Sequence, residues 1–228
     1  MDTFSVFDKL SANADKYDAF YKKLVCDNEK FNLTSITAFK DVAYKHFIDS
    51  IYKKDIFDKN KTVVEIGSGA GFPSVPLAIE RPDLEFTLIE ANNKKCNFLN
   101  EVKIMLGLNN VTVICDRAEN VGKDKIYREV FDYATARAVA PMRTLLEYAM
   151  PLIKVGGKCV FLKGEAGLEE LNQSKRALKT LGADESENKI YDYDLGEYGK
   201  RKTIVVTKIC PTPAKYPRGL GKERKCPL

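Results

Sequence analysis

Val63-Val64-Glu65-Ile66-Gly67-Ser68-Gly69-Ala70-Gly71-Phe72-Pro73 decides the fold of this chain. A β-branched run from Thr62 to Ile66 ends in three alternating glycines, and a helix is expected from Pro73 to Glu80. In a doubly wound α/β sheet the first strand-to-helix turn lies at the carboxyl edge, where ligands bind. Glycines there permit dihedrals closed to other residues and let a ligand approach the backbone. A glycine triplet taken alone is only a tight turn, so its flanks must carry the reading.

Three flanking details do so. The spacing is G-x-G-x-G, with Phe72 where a dinucleotide fold would place its third glycine. Glu65 lies two residues before the first glycine, where a carboxylate opposes a pyrophosphate but suits an ammonium or sulfonium. Glu90 ends the next strand, 19 residues beyond Gly71, in position to accept both ribose hydroxyl hydrogens. The first two favour S-adenosylmethionine. The third serves NAD equally well, and a nicotinamide oxidoreductase stays open at this point. After the third strand, Cys115-Asp116-Arg117-Ala118-Glu119 is expected beside an adenine pocket.

Working outward, strands are expected at Glu85–Ile89, Val111–Cys115, Phe131–Thr135, Lys158–Lys163 and Thr203–Ile209. Helices fit Asn93–Leu106, with Gly107 as its stop, Met142–Leu152 and Glu165–Leu181. Such alternation implies β-α-β units and a parallel sheet. The stretch Asp184–Glu197 reads only as acidic. Residues 1–60 look helical, with ten lysines balancing ten acids and aromatic stripes at Phe4, Phe7 and Leu10 and at Tyr17, Phe20, Tyr21 and Leu24.

Composition bounds the function class. At 228 residues, 44% hydrophobic and 30% charged, the chain suits one α/β domain. No apolar run approaches the roughly 18 residues of a membrane span, and the start does not read as a signal peptide, so a cytoplasmic protein is expected. The six cysteines are scattered without C-x-x-C spacing, which predicts neither a metal site nor a disulfide framework; Cys115 and Cys159 are expected as small buried hydrophobes. From Lys200 onward nine basic residues face one acid, Glu223, whereas residues 1–199 sum to −3. That terminal charge is either a solvated strand with a disordered tail or a phosphate-binding patch.

The fourth strand, Phe131-Asp132-Tyr133-Ala134-Thr135-Ala136-Arg137-Ala138, lacks the Asn/Asp-Pro-Pro-aromatic signature of exocyclic amine methylation. The chain also lacks the Pro-Cys used for pyrimidine carbon 5, since its Cys-Pro pairs at 210–211 and 226–227 run the other way. What it resembles is the RsmG (GidB) family of 16S ribosomal RNA guanine 7-methyltransferases. The resemblance is carried by Asn32-Leu33-Thr34 with Ile36-Thr37, Lys45-His46-Phe47-Ile48-Asp49-Ser50 and the glycine turn through Ile79. It continues with Arg117-Ala118-Glu119, Ala136-Arg137-Ala138, Leu162-Lys163-Gly164 and the basic strand Lys200–Thr207. It spans roughly residues 30–210 in order. Tyr216-Pro217-Arg218 and Pro227-Leu228 also match, while the residues from Gly219 to Arg224 depart.

The resemblance implies an α/β fold: a doubly wound, mostly parallel seven-stranded sheet of the class I S-adenosylmethionine-dependent methyltransferase type. The organisation expected is an N-terminal helical extension (1–60), a methyltransferase domain (61–210) and a basic tail (211–228). It implies cofactor contacts at Gly67, Phe72, Ala118, Glu119 and Arg137, with Glu90 added from strand geometry. The partner implied is 16S ribosomal RNA, within a 30S particle, met by a monomer without a metal. Nitrogen 7 of guanine has an in-plane lone pair and no proton, so attack needs no general base and alignment and electrostatics should carry catalysis. An Arg against nitrogen 7 would block the reacting lone pair. Arg137 and Lys163 are therefore the expected catalytic groups, contacting oxygen 6 or phosphate, with Arg201 and Lys202 on the RNA backbone. His46, the only histidine, is expected at the RNA face in a positioning role with Asp49, not as a base. Rival classes are a non-catalytic ribosome-assembly protein, which would not need an intact cofactor turn, and a small-molecule methyltransferase, which would not need the basic cluster.

Overall fold

Short β-branched runs separated by amphipathic helices build one seven-stranded sheet in the computed structural model, which describes residues 8–228. Phe4 and Phe7 lie outside the described residues. In chain order the elements are α1 (Ala14–Asn28) and a composite helix α2. The latter is α-helical over Phe39–Val42, π-helical over Ala43–Ile48 and α-helical again over Asp49–Ile51. Then come β1 (Thr62–Ile66), α3 (Ser74–Glu80), β2 (Glu85–Glu90), α4 (Asn93–Leu106), β3 (Val111–Cys115), α5 (Ala118–Val121), β4 (Phe131–Arg137) and α6 (Met142–Ala149). The chain continues with β5 (Ile153–Lys163), α7 (Gly167–Asn172), α8 (Lys175–Leu181), β6 (Lys189–Asp194), β7 (Lys200–Thr207) and α9 (Lys222–Lys225).

The strand order is β3-β2-β1-β4-β5-β7-β6, with β7 antiparallel to both neighbours. The order reverses between β1 and β4, the place where a doubly wound sheet opens a crevice at its carboxyl edge. Central strands are buried on both faces: Val63, Val64, Ile66, Leu88 and Ala134 are all at most 1% exposed. Gly107 caps α4 at φ 63°, with Leu108 N bonding back to Lys103 O.

The N-terminal helices join one of the two core clusters. Tyr17, Phe20 and Leu24 of α1 and Phe47 of α2 pack with Phe72, Leu77 and Phe98. Each such buried side chain contributes roughly 1.5–3 kcal/mol. Phe72 is the hub: its ring centroid lies 5.3 Å from that of Phe20, 6.0 Å from that of Phe47 and 4.5 Å from that of His46.

Two sequence expectations need correction, and two stretches that the sequence left open gain a structure. The acidic stretch hides β6, an edge strand whose side chains are mostly exposed and so show no apolar alternation. The helix expected over Glu165–Leu181 is two helices, because the Ser174 hydroxyl donates back to Glu170 O at 2.6 Å and the backbone resets there. Cys115 is exposed and bridged to Cys96, with Cα atoms 5.8 Å apart, whereas Cys159 is buried as expected. The segment 211–228 is no loose tail. Arg128 donates to Thr212 O and Tyr216 O, both at 2.8 Å, and Arg218 forks onto the buried Glu147 at 2.8 and 2.6 Å. Lys208, fully buried, donates to Glu129 Oε1, Met150 O and Ile153 O. Of the nine terminal cations, Lys208 and Arg218 are thus consumed by the fold, and Arg201 and Lys202 face Asp49 and Asp192.

Candidate active site

Beyond β1 the backbone turns through Gly67, Gly69 and Gly71 at φ 64°, 56° and 91°. Space as well as dihedral demands glycine at two of them. A Cβ on Gly71 would lie 2.6 Å from Val75 Cγ2, and one on Gly67 3.0 Å from Val139 Cγ2. Glu90, at the end of β2, braces the turn: its Oε2 accepts from Gly69 N at 2.8 Å and its Oε1 from Asn92 N at 2.9 Å. The turn borders a cavity of about 560 Å³ that Gly67, Phe72, Glu90, Ala118, Glu119 and Arg137 all line. The structure thus brings every expected cofactor contact to one pocket.

Under the turn, Glu65 is 1% exposed and neither carboxylate oxygen has a hydrogen-bond partner; the Ser68 and Ser74 hydroxyls beside it are likewise unpartnered. Burial pushes its carboxyl up to about 8, against the opposing pull of the two serines and the Arg137 charge.

Arg137 ends β4 and is held on three sides. Nη1 donates to Lys45 O at 2.7 Å and Asp49 Oδ2 at 3.2 Å, Nη2 donates to His46 Nδ1 at 2.9 Å, and the guanidinium carbon stands 5.0 Å from the Phe72 ring centroid. Nδ1 of His46 lies 2.9 Å from Arg137 Nη2 and 3.1 Å from Lys45 O, and the shorter contact, to a guanidinium that only donates, makes Nδ1 the acceptor. The imidazole proton therefore sits on Nε2, which donates to Thr34 Oγ1 at 3.0 Å. Burial and the neighbouring Arg137 charge lower the His46 pKa to about 3, so the ring stays neutral at any working pH. Asp49 is itself fixed by Tyr193 Oη, which donates at 2.8 Å from β6. Next to Arg137, Ala138 takes φ 56°, a left-handed conformation costly for a residue with a Cβ.

A second cavity, about 570 Å³, opens on the other side of Arg137. It shares Ile36, His46, Arg137, Ala138 and Val139 with the first. Its far wall is ionic: Lys163 at the end of β5, Glu170 on α7 and Arg201 on β7. Lys163 Nζ donates to Glu170 Oε2 at 2.8 Å and Ala140 O at 3.2 Å, and Arg201 Nε stands 3.8 Å from Asp49. Lys202 lines neither cavity; it pairs with Asp192 in a separate surface groove.

Sequence reasoning missed two parts of the first pocket. Leu33, Thr34 and Ser35 line it from the loop before α2, although Asn32-Leu33-Thr34 had stood out only as a matching stretch. Tyr148, Gly221 and Arg224 line it from α6 and the C-terminal segment. The available signal was the glycines at 219 and 221, which take φ 76° and 73° and turn the chain back onto the domain. Among the described residues no cluster of His, Cys, Asp and Glu is placed to hold a metal ion, and no helix is long and apolar enough to cross a membrane.

The fold resembles that of the O-methyltransferase TomG from Streptomyces achromogenes in complex with SAM, with a TM-score of 0.57, 15% identity and 84% of this chain and 90% of that one covered. It also resembles TYW2 of M. jannaschii in complex with AdoMet, with a TM-score of 0.52, 20% identity and 70% and 75% covered. At such identities these show the fold alone. Sequence relatives are much nearer. The ribosomal RNA small subunit methyltransferase G of Clostridium perfringens is 47% identical over 224 residues, 95% of this chain and 92% of that protein. The protein of the same name from Leuconostoc mesenteroides is 42% identical over 217 residues, 93% and 90% of the two chains. Residues 13–193 match the GidB family, described as rRNA small subunit methyltransferase G, and the chain belongs to that family.

Proposed function

We propose that this chain transfers a methyl group from S-adenosylmethionine to nitrogen 7 of one guanine in small-subunit (16S) ribosomal RNA. The observation that carries the reading is the seam: two cavities, one bordered by the glycine turn and one by an ionic wall of Lys163, Glu170 and Arg201, meet at Arg137, Ala138 and Val139. Donor and acceptor chambers must share such a boundary if a group is to pass directly between them.

The residues fit the cofactor. Glu65 is a buried carboxyl beneath the turn whose ionised form suits a cationic neighbour, and Gly67 lines the cavity without a side chain, with Val139 3.0 Å from where its Cβ would stand. Glu90 and Glu119 offer acceptors to a ribose and an adenine amine. When bound, the cofactor supplies an electrophilic methyl on a sulfonium. The protein's own work is alignment. Phe72 and His46 form a stacked wall at 4.5 Å, and Arg137, locked by three partners, cannot swing onto a purine lone pair. His46 is neutral and its Nδ1 is occupied, so it serves as a wall and not as a base, and attack by an unprotonated nitrogen needs none. Arg201 and the exposed Lys200, Lys215, Lys222, Arg224 and Lys225 suit RNA phosphates. The reading includes a monomer working in the cytoplasm on a 30S particle.

The test is methyl transfer from labelled S-adenosylmethionine to small subunits and to naked 16S RNA from cells lacking the gene. Label confined to one 7-methylguanosine is expected. No label on either acceptor, with the cofactor still bound, would overturn the reading.

A further inference from the structure

We propose that Glu170 and Lys163 together read the Watson–Crick edge of the acceptor guanine, with Glu170 setting base specificity. The proposal rests on the guanine reading above. Lys163 leaves the end of β5 with its stem covered by α7, which can approach because residue 167 is glycine. A Cβ there would stand 2.6 Å from Lys163 Cβ. That close contact brings Glu170, one turn further along α7, against the ammonium at 2.8 Å.

The pair is fixed before any ligand arrives. Glu170 Oε2 also accepts from Met142 N at 2.8 Å, and Lys163 Nζ also donates to Ala140 O at 3.2 Å. An ammonium has three donors and two are used, so one N–H remains. Among the described residues nothing donates to Glu170 Oε1. The cavity wall therefore offers one donor beside one free carboxylate oxygen, Oε1, on side chains 10% and 30% exposed.

That pattern is the complement of guanine. Its Watson–Crick edge presents oxygen 6 as acceptor, then N1–H and the exocyclic N2 amine as donors. Adenine presents an amine donor and then a bare ring nitrogen, so it would set donor against donor and lone pair against carboxylate. A site that leaves buried polar groups unpaired discriminates strongly. Guanine held by N1 and N2 keeps nitrogen 7 on its separate Hoogsteen edge, free to face the seam at Arg137. As that nitrogen gains a carbon, positive charge spreads over the purine, and a carboxylate opposite N1–H offsets it.

The experiment compares 16S RNA carrying guanosine or inosine at the methylated position, prepared by ligation, with the wild-type chain, Glu170→Ala and Glu170→Gln. Inosine lacks only the N2 amine. The wild type is expected to prefer guanosine by about tenfold in kcat/KM, the worth of one charge-assisted hydrogen bond. Glu170→Ala should bring that ratio within about twofold of unity while cofactor affinity, measured by calorimetry, stays unchanged. A wild type indifferent to the change, or a folded Glu170→Ala or Glu170→Gln keeping the full ratio, would overturn the proposal. If Glu170→Ala does not fold, the inosine arm and Glu170→Gln still decide. No transfer to the guanosine RNA by the wild type would instead sink the functional reading, and this proposal with it.

Discussion

The two cavities that meet at Arg137 are built by different means. On the cofactor side much of the boundary is backbone: the turn from Gly67 to Gly71, braced by the Glu90 carboxylate. On the acceptor side the boundary is charged side chains held by one another, Lys163 by Glu170 and Arg137 by Asp49. Backbone walls suit a ligand that never changes. Side-chain walls can be exchanged one at a time, and they suit the partner whose identity has to be chosen. The comparison implies that substitutions on the two sides should separate cofactor binding from acceptor turnover, and that only the seam should affect both.

Arg137→Ala should have the largest effect, because it removes the group shared by both chambers. We expect no detectable methyl transfer and a loss of about 3 kcal/mol in stability from the uncompensated Asp49. Arg137→Lys should restore most of that stability without the activity, since an ammonium cannot reproduce a fork bonded to Lys45, His46 and Asp49 together. Thermal melts beside transfer assays would check this; near-normal turnover by either variant would remove Arg137 from the centre of the account.

Arg218→Ala comes next and acts on one side. It strands the buried Glu147 and releases the segment that carries Gly221 and Arg224 to the cofactor pocket. Stability should fall by about 3 kcal/mol, or roughly 10 °C in Tm for a chain of this size. S-adenosylmethionine should bind several-fold more weakly by calorimetry. Unchanged cofactor affinity would mean that the C-terminal segment only packs beside the pocket.

The smallest effect lies at Glu65. Its carboxyl titrates near 8 without ligand, and a cationic neighbour binds the ionised form better. Affinity for S-adenosylmethionine should therefore rise with pH through about 8 and level off above it. Glu65→Gln should flatten that rise. A profile flat from pH 6 to 9 in the wild type would place the cofactor's positive charges away from Glu65.

The same contrast between backbone and side-chain construction decides what could be read from the sequence. The glycine turn and the strands around it were legible because local rules fix them: three glycines at alternate positions, β-branched runs and an acid at a strand tip. The antiparallel edge was less so. β6 carries Tyr193, which holds Asp49 and through it Arg137, yet its exposed lysine and aspartates let the stretch read only as acidic. The pairing of Glu147 with Arg218 spans 71 residues and leaves no periodic trace, so a basic tail looked free when part of its charge is bound. Counting charge along a chain overstates what a surface presents. Glu170 went unnoticed for a related reason, since only the fold sets it against Lys163.

The central claim is that a methyl donor and its acceptor meet at the seam. The most direct measurement is a crystal structure of this chain with S-adenosylhomocysteine. The account predicts the adenosine along Glu90 and Glu119, the amino-acid end over the glycine turn above Glu65, and the sulfur facing the opening beside Arg137 and Val139 toward Lys163. A ligand whose sulfur points away from that opening, or one seated in the Lys163 cavity itself, would contradict it.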